Sequence, residues 1–193
     1  MSDESPTENF ESQTRELYRA VGEFAVKFEH VCRVVQMSIQ FILDREGLKN
    51  QAVSQIILAG LTAEPLRTLL QSLLGEVQPT NDQEALILKN LFGRFQKLTE
   101  TRNDLLHATT YIGWGSNPED DFSQASKIKF HKDKSGAVVK SEIITATLLD
   151  SHTHEAEELA SLFHRLLGCI VGGLSIEGNF VMDPTVRASG PTK

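Results

Sequence analysis

Apolar residues recur every three or four positions over long stretches of this chain, the spacing that gives a helix one buried face. Leu17, Val21, Phe24, Phe28, Val31, Val35, Ile39 and Ile42 form such a stripe and predict a helix over about 11–46, with Gly47 in the position that ends it. A second helix is expected over 51–60. Thr62, Glu64 and Pro65 then supply a start signal for a third helix, running to Leu74. The cluster Pro79-Thr80-Asn81-Asp82 reads as a loop with a capping residue, and Leu88, Leu91, Phe95 and Leu98 mark a fourth helix over about 82–108. Beyond it the period changes to two. Lys127-Ile128-Lys129-Phe130-His131 alternates, Asp133-Lys134-Ser135-Gly136 reads as a turn, and 137–144 returns, which predicts a β-hairpin. Leu159, Leu162, Phe163, Leu166, Leu167 and Ile170 predict a last helix over about 150–172.

The expected fold class is therefore all-α, an up-and-down bundle of four to five helices with a small β-hairpin insertion before the last helix. A single helical domain is expected over 11–176, with the loop and hairpin insertion at 113–146. Residues 1–10 read as a disordered acidic leader and 177–193 as a flexible tail. A chain of 193 residues that is 40% hydrophobic and 23% charged suits one such domain with a sizeable core.

The polar, acidic start lacks the charge pattern of a secretory signal or transit peptide, and the longest apolar run, 166–174, is too short and glycine-rich to span a bilayer. A cytoplasmic protein without membrane contact is the expectation. Cys32 and Cys169 sit among apolar neighbours and read as reduced core thiols.

A net charge of −7 excludes a general nucleic-acid-coating protein, because that role needs Lys and Arg to neutralise phosphates. Any RNA contact has to be local. Lys127, Lys129, Lys132, Lys134 and Lys140 lie close together with only Asp133 against them, so Lys127, Lys129, Lys132 and Lys134 are candidate RNA contacts. The competing reading is a solvated hairpin whose lysines keep its edge from pairing.

The strongest candidate chemistry lies in Arg102-Asn103-Asp104-Leu105-Leu106-His107. The buried stripe of the fourth helix next lands on Arg102, so an arginine stands where a core residue is expected. Burying an unpaired guanidinium is very costly; Arg102 must be paired within its subunit or open onto a cleft or an interface. At 100° per residue Arg102 and His107 differ by about 140°, whereas Asn103 and His107 share a face. Either the helix loosens near Leu106 or a second copy of the chain completes the site. The competing reading is a closed surface network in which Asp104 pairs with Arg102 and His107.

Arg102, Asn103 and His107 fill the three slots of an Arg-polar-x-x-x-His motif, and in this placement the chain resembles the HEPN superfamily (higher eukaryotes and prokaryotes nucleotide-binding) of small helical domains. The resemblance implies a homodimer whose two motifs face each other. It also implies metal-independent RNA cleavage, with Arg102, Asn103 and His107 as catalytic residues and no cofactor. Such enzymes act in toxin–antitoxin systems or antiviral defence, which implies an antitoxin or sensor protein as a further partner. Some members are catalytically inactive modules that bind nucleotide, RNA or a partner protein, and that is the alternative function. The branch paired with nucleotidyltransferase antitoxins tends to carry a tyrosine two places after the histidine, where this chain has Thr109. A metal site built from His152, His154, Glu155, Glu158 and His164 is a weaker idea, since their spacing resembles no known zinc pattern.

Overall fold

Side chains and glycines able to satisfy free backbone groups decide where the helices begin and end in the computed structural model. It describes residues 6–113, 122–133 and 136–180, with side chains over 10–113, 122–128, 139 and 141–180. Helix α1 (Pro6–Arg45) stops at Gly47, which takes the left-handed conformation at φ 108°. That turn lets Leu48 N–H reach the Leu43 carbonyl at 2.8 Å and Gly47 N–H the Asp44 carbonyl at 3.1 Å, closing the helix end. Helix α2 (Gln51–Leu58) begins where the Asn50 side chain accepts from the N–H groups of Ala52 and Val53. Helix α3 (Ala63–Val77) follows Thr62, and α4 (Asp82–Leu106) follows Asn81.

Strands β1 (Thr109–Tyr111), β2 (Gln124–Asp133) and β3 (Gly136–Thr145) form one antiparallel sheet in the order β1-β2-β3. Helices α5 (Ala146–Gly172) and α6 (Ile176–Phe180) complete the described chain. The protein is thus an all-α bundle with a small β insertion, as the hydrophobic periods predict.

Four details depart from the sequence reading. Helix α1 starts at Pro6, ahead of the expected Glu11, with proline at the first helical position where its missing N–H costs nothing. Strand β1 is additional; with Thr109 opposite Ile128 and Tyr111 opposite Ser126, it is too short to show an alternation of its own. Helix α5 starts at Ala146 rather than near Asp150, because Thr145 Oγ1 accepts from Leu148 N–H at 3.2 Å and supplies the cap. Finally, Glu177 to Phe180, expected as tail, belong to α6, which is held by the buried side chains of Ile176 and Phe180. No helix among the described residues is long and apolar enough to cross a membrane.

Two compact units make up the chain, one from residues 1–28 and 100–155, the other from 29–99 and 156–193. In the first, Leu17, Phe24 and Phe28 of α1 are buried together with Leu105, Ala125, Ile144 and Leu149. Arg19 of α1 reaches Asp150 of α5 at 3.0 Å. In the second, Phe163 of α5 meets Phe92 and Phe95 of α4 with ring centroids 5.6 and 5.5 Å apart, the tilted and edge-on arrangements that aromatic pairs favour. Arg94 and Glu158 join the same two helices at 2.8 Å.

Glu84 organises the second unit further. Asn81 Oδ1 accepts from Glu84 N–H at 2.8 Å while Glu84 Oε2 accepts from Asn81 N–H at 3.4 Å, a reciprocal cap on α4. The other carboxylate oxygen accepts from Ile176 N–H at 2.9 Å, Glu177 N–H at 3.3 Å and Ser175 Oγ at 3.2 Å, so the same side chain caps α6. Glu84 is only 8% exposed. Burial disfavours its charge, but the hydrogen bonds from Glu177, Asn81, Ser175 and Ile176 outweigh that and hold the carboxyl below its ordinary 4.5.

A carboxylate whose folded-state value is depressed contributes stability that is fully present above 4.5 and lost as pH falls through the lower folded value. Glu84→Gln keeps the shape and removes the charge, and is expected to cost about 1–3 kcal/mol. Thermal melts of both proteins check this: the difference in midpoint should be clear at pH 7 and shrink below pH ~4.

Candidate active site

The last turn of α4 points neighbouring side chains in different directions. The helix remains regular to its end: His107 N–H donates to the Asn103 carbonyl at 3.0 Å, an ordinary i to i−4 bond. The helix ends at Leu106, and His107 is the first residue beyond it.

Arg102 is half-buried and faces α1. Its guanidinium carbon stands 5.5 Å from the centre of the Phe28 ring, within the range of a cation–π contact, and its Nη1 donates to Asn103 Oδ1 at 3.3 Å. The apolar stripe of α4 thus ends in a guanidinium that continues the packing through an aromatic face. Asn103 is half-buried beside it. Its long bond to Arg102 helps to set the plane of the guanidinium.

His107 follows the last helical residue, and its side chain is exposed. Among the described residues its imidazole makes no hydrogen bond or ion pair. The closed surface network of Asp104, Arg102 and His107 consequently lacks its histidine. Of the expected catalytic residues, Arg102 and Asn103 are brought into contact, while His107 stands apart at the helix end.

Thr101, Asp104 and Leu105, at three- and four-residue spacing, share another face of the same turn. They line a cavity of about 190 Å³ together with residues of β2, β3 and α5. Lys127 and Glu142 form an ion pair in its wall, directly opposite each other in the β2–β3 register. The Lys127 side chain is only 13% exposed, so this candidate RNA contact spends its charge inside the unit. The side chains of Lys129, Lys132 and Lys134 lie outside the described residues.

His152 closes the cavity from α5, its ring 5.7 Å from that of Phe24. Burial pushes its value below the ordinary 6.5; Glu155 opposes that shift and Lys127 adds to it. The sequence reading had set His152 among possible metal ligands. Among the described residues no three of His, Cys, Asp and Glu come together to hold a metal ion. What sequence reasoning missed is the Asp104, Lys127, Glu142 and His152 cluster, and the available signal was the hairpin register, which sets Lys127 across from Glu142.

Comparison of the chain with protein-family models, characterised proteins and solved structures finds no match. The HEPN resemblance therefore rests on the motif and the order of the helices.

The coupling inside the cavity is open to test by NMR titration of the histidine ring protons. His152 should titrate below 6.5, and Lys127→Met should raise its midpoint, because removing the ammonium removes a charge that disfavours the imidazolium. An unchanged midpoint would refute the coupling.

Proposed function

We propose that this protein is a metal-independent endoribonuclease of toxin or antiviral-defence type, working as a homodimer whose two Arg102-Asn103-His107 sets share one groove. The observation that carries this reading is the state of His107. It is exposed at the end of the helix that bears Arg102, and its ring is engaged by no other described side chain. An imidazole in that condition is open to a substrate.

In the proposed reaction one neutral histidine takes the proton of a ribose 2′-hydroxyl, and the oxygen attacks the adjacent phosphorus. The bond to the 5′-oxygen breaks, that oxygen is protonated by the imidazolium of the second copy, and a 2′,3′-cyclic phosphate remains. Arg102 balances the charge that builds on the phosphoryl oxygens, and Asn103 steadies it through the bond already described. DNA lacks the attacking hydroxyl and is excluded by chemistry.

The homodimer enters the proposal through geometry. With α4 regular to its end, about 140° of helix rotation separates Arg102 from His107, and a second copy can bring an arginine and a histidine to one phosphate. Such an enzyme has to be restrained in its own cell, and a separate antitoxin or sensor chain is the proposed regulator. The packing of Arg102 on Phe28 favours a second reading, in which the arginine is structural and the protein is a catalytically silent binding module.

The test is incubation of the purified protein with RNA in chelator, followed by analysis of product ends. Cleavage leaving cyclic phosphates is expected, with Arg102→Ala and His107→Ala each slower by at least about 100-fold while remaining folded dimers. A mixed dimer of wild-type and His107→Ala chains keeps only one of the two histidines that the reaction uses, and should be about as slow as the His107→Ala homodimer. About half of the wild-type rate in that mixed dimer would confine the catalytic groups to one protomer and overturn the shared groove. Absence of cleavage on varied RNAs would favour the silent module.

A further inference from the structure

Gly75 in α3 and Gly93 in α4 are placed where a helix gains nothing from glycine. Glycine costs a helix stability relative to alanine, because it surrenders more backbone freedom on folding. A tight helix crossing or a left-handed turn can justify that cost. Neither applies here, since a Cβ at either position would meet nothing within 4 Å and neither residue has a positive φ. Both glycines line the same cavity, a groove of about 480 Å³ between α3 and α4 in the second unit. What they provide is empty space, of a size within the range of about 300–1,000 Å³ typical of small-molecule sites.

The lining defines what could enter. Leu74, Leu88 and Phe92 supply an apolar surface. Every charged residue in the lining is a cation, Arg67 or Lys89. Glu64 neutralises Arg67 from outside the lining, with Arg67 Nε donating to Glu64 Oε2 at 3.0 Å. Arg67 also donates from Nη1 to Gln71 Oε1 at 2.8 Å, which leaves the Gln71 amide N–H₂ as a donor. Lys89 is exposed at the rim and makes no hydrogen bond or ion pair among the described residues.

We propose that this groove binds a small organic anion, with an apolar body against Leu74, Leu88 and Phe92 and an acidic group toward Lys89 and the Gln71 amide. The site is independent of the nuclease reading, because it contains none of Arg102, Asn103 and His107. Helix stability is given up at Gly75 and Gly93 to keep the groove open, the usual trade between stability and function.

Fluorescence titration of the full chain with 8-anilinonaphthalene-1-sulfonate, beside N-phenyl-1-naphthylamine, tests the proposal. The two dyes share an aromatic body, and only the first carries an anion. One sulfonate dye per chain is expected to bind, more tightly than the neutral dye. Gly93→Leu fills the groove and should weaken both dyes by at least about tenfold. Lys89→Glu should weaken the sulfonate dye several-fold and leave the neutral dye unchanged. Gly93→Ala should raise the thermal midpoint, and a lower midpoint would mean that the glycine serves packing and would overturn the argument. Unaltered binding to Gly93→Leu would overturn the site, and equal loss of both dyes on charge reversal would overturn the preference for an anion.

Discussion

The unbroken hydrogen bonding of α4 through its last turn is the constraint on which the chemistry at that end depends. A regular helix gives each residue a fixed bearing, so Arg102 has to meet α1, Asp104 has to meet the sheet and α5, and His107 has to leave the helix into solvent. These three fates are one geometrical fact. They explain why a motif compact in sequence is divided in space within a single chain. Phe28 makes the division tolerable: its ring accepts a guanidinium where the apolar stripe would otherwise require a leucine.

Elsewhere the structure treats buried polar groups in contrasting ways. The Glu84 carboxylate is surrounded by donors from two helix starts, so its charge is held and its burial is tolerated. His152 has too little compensation, and burial keeps the ring inclined to its neutral form. The Cys169 thiol is pushed up by burial, with Arg165 and Glu84 pulling in opposite directions, and in that state it behaves as a small apolar side chain. Each outcome is a balance between burial and the hydrogen bonds or charges set against it.

The long elements were legible because each repeats its signal many times. The α1 stripe runs from Leu17 to Ile42 with only Val21 less than fully buried, and Gly47 and Asn81 mark helix boundaries as their chemistry predicts. The hairpin turn was also readable, since Asp133 pairs with Gly136 across it. Elements held by their surroundings were not. Strand β1 exists because β2 offers it an edge, and α6 exists because Glu84 receives its free N–H groups. At the candidate site, residue types and helical bearings could be read in advance. The neighbour under Arg102 could not: Phe28 is a tertiary partner far away in sequence. The groove of Gly75 and Gly93 is the same kind of case, since a glycine in a helix reads as a weakness until the space beside it is seen.

The junction between β3 and α5 carries a structural consequence. Strand residue Thr145 is followed at once by helical Ala146, with the threonine hydroxyl accepting from Leu148 N–H, so no flexible connector separates the hairpin from the helix. At roughly 3.3 Å per residue, β3 is an arm several helical turns long. The arm leads directly into the first turns of α5, where Asp150 holds Arg19 and the His152 ring lies 5.7 Å from that of Phe24. The hairpin strand and the start of that helix thus follow each other without a linker.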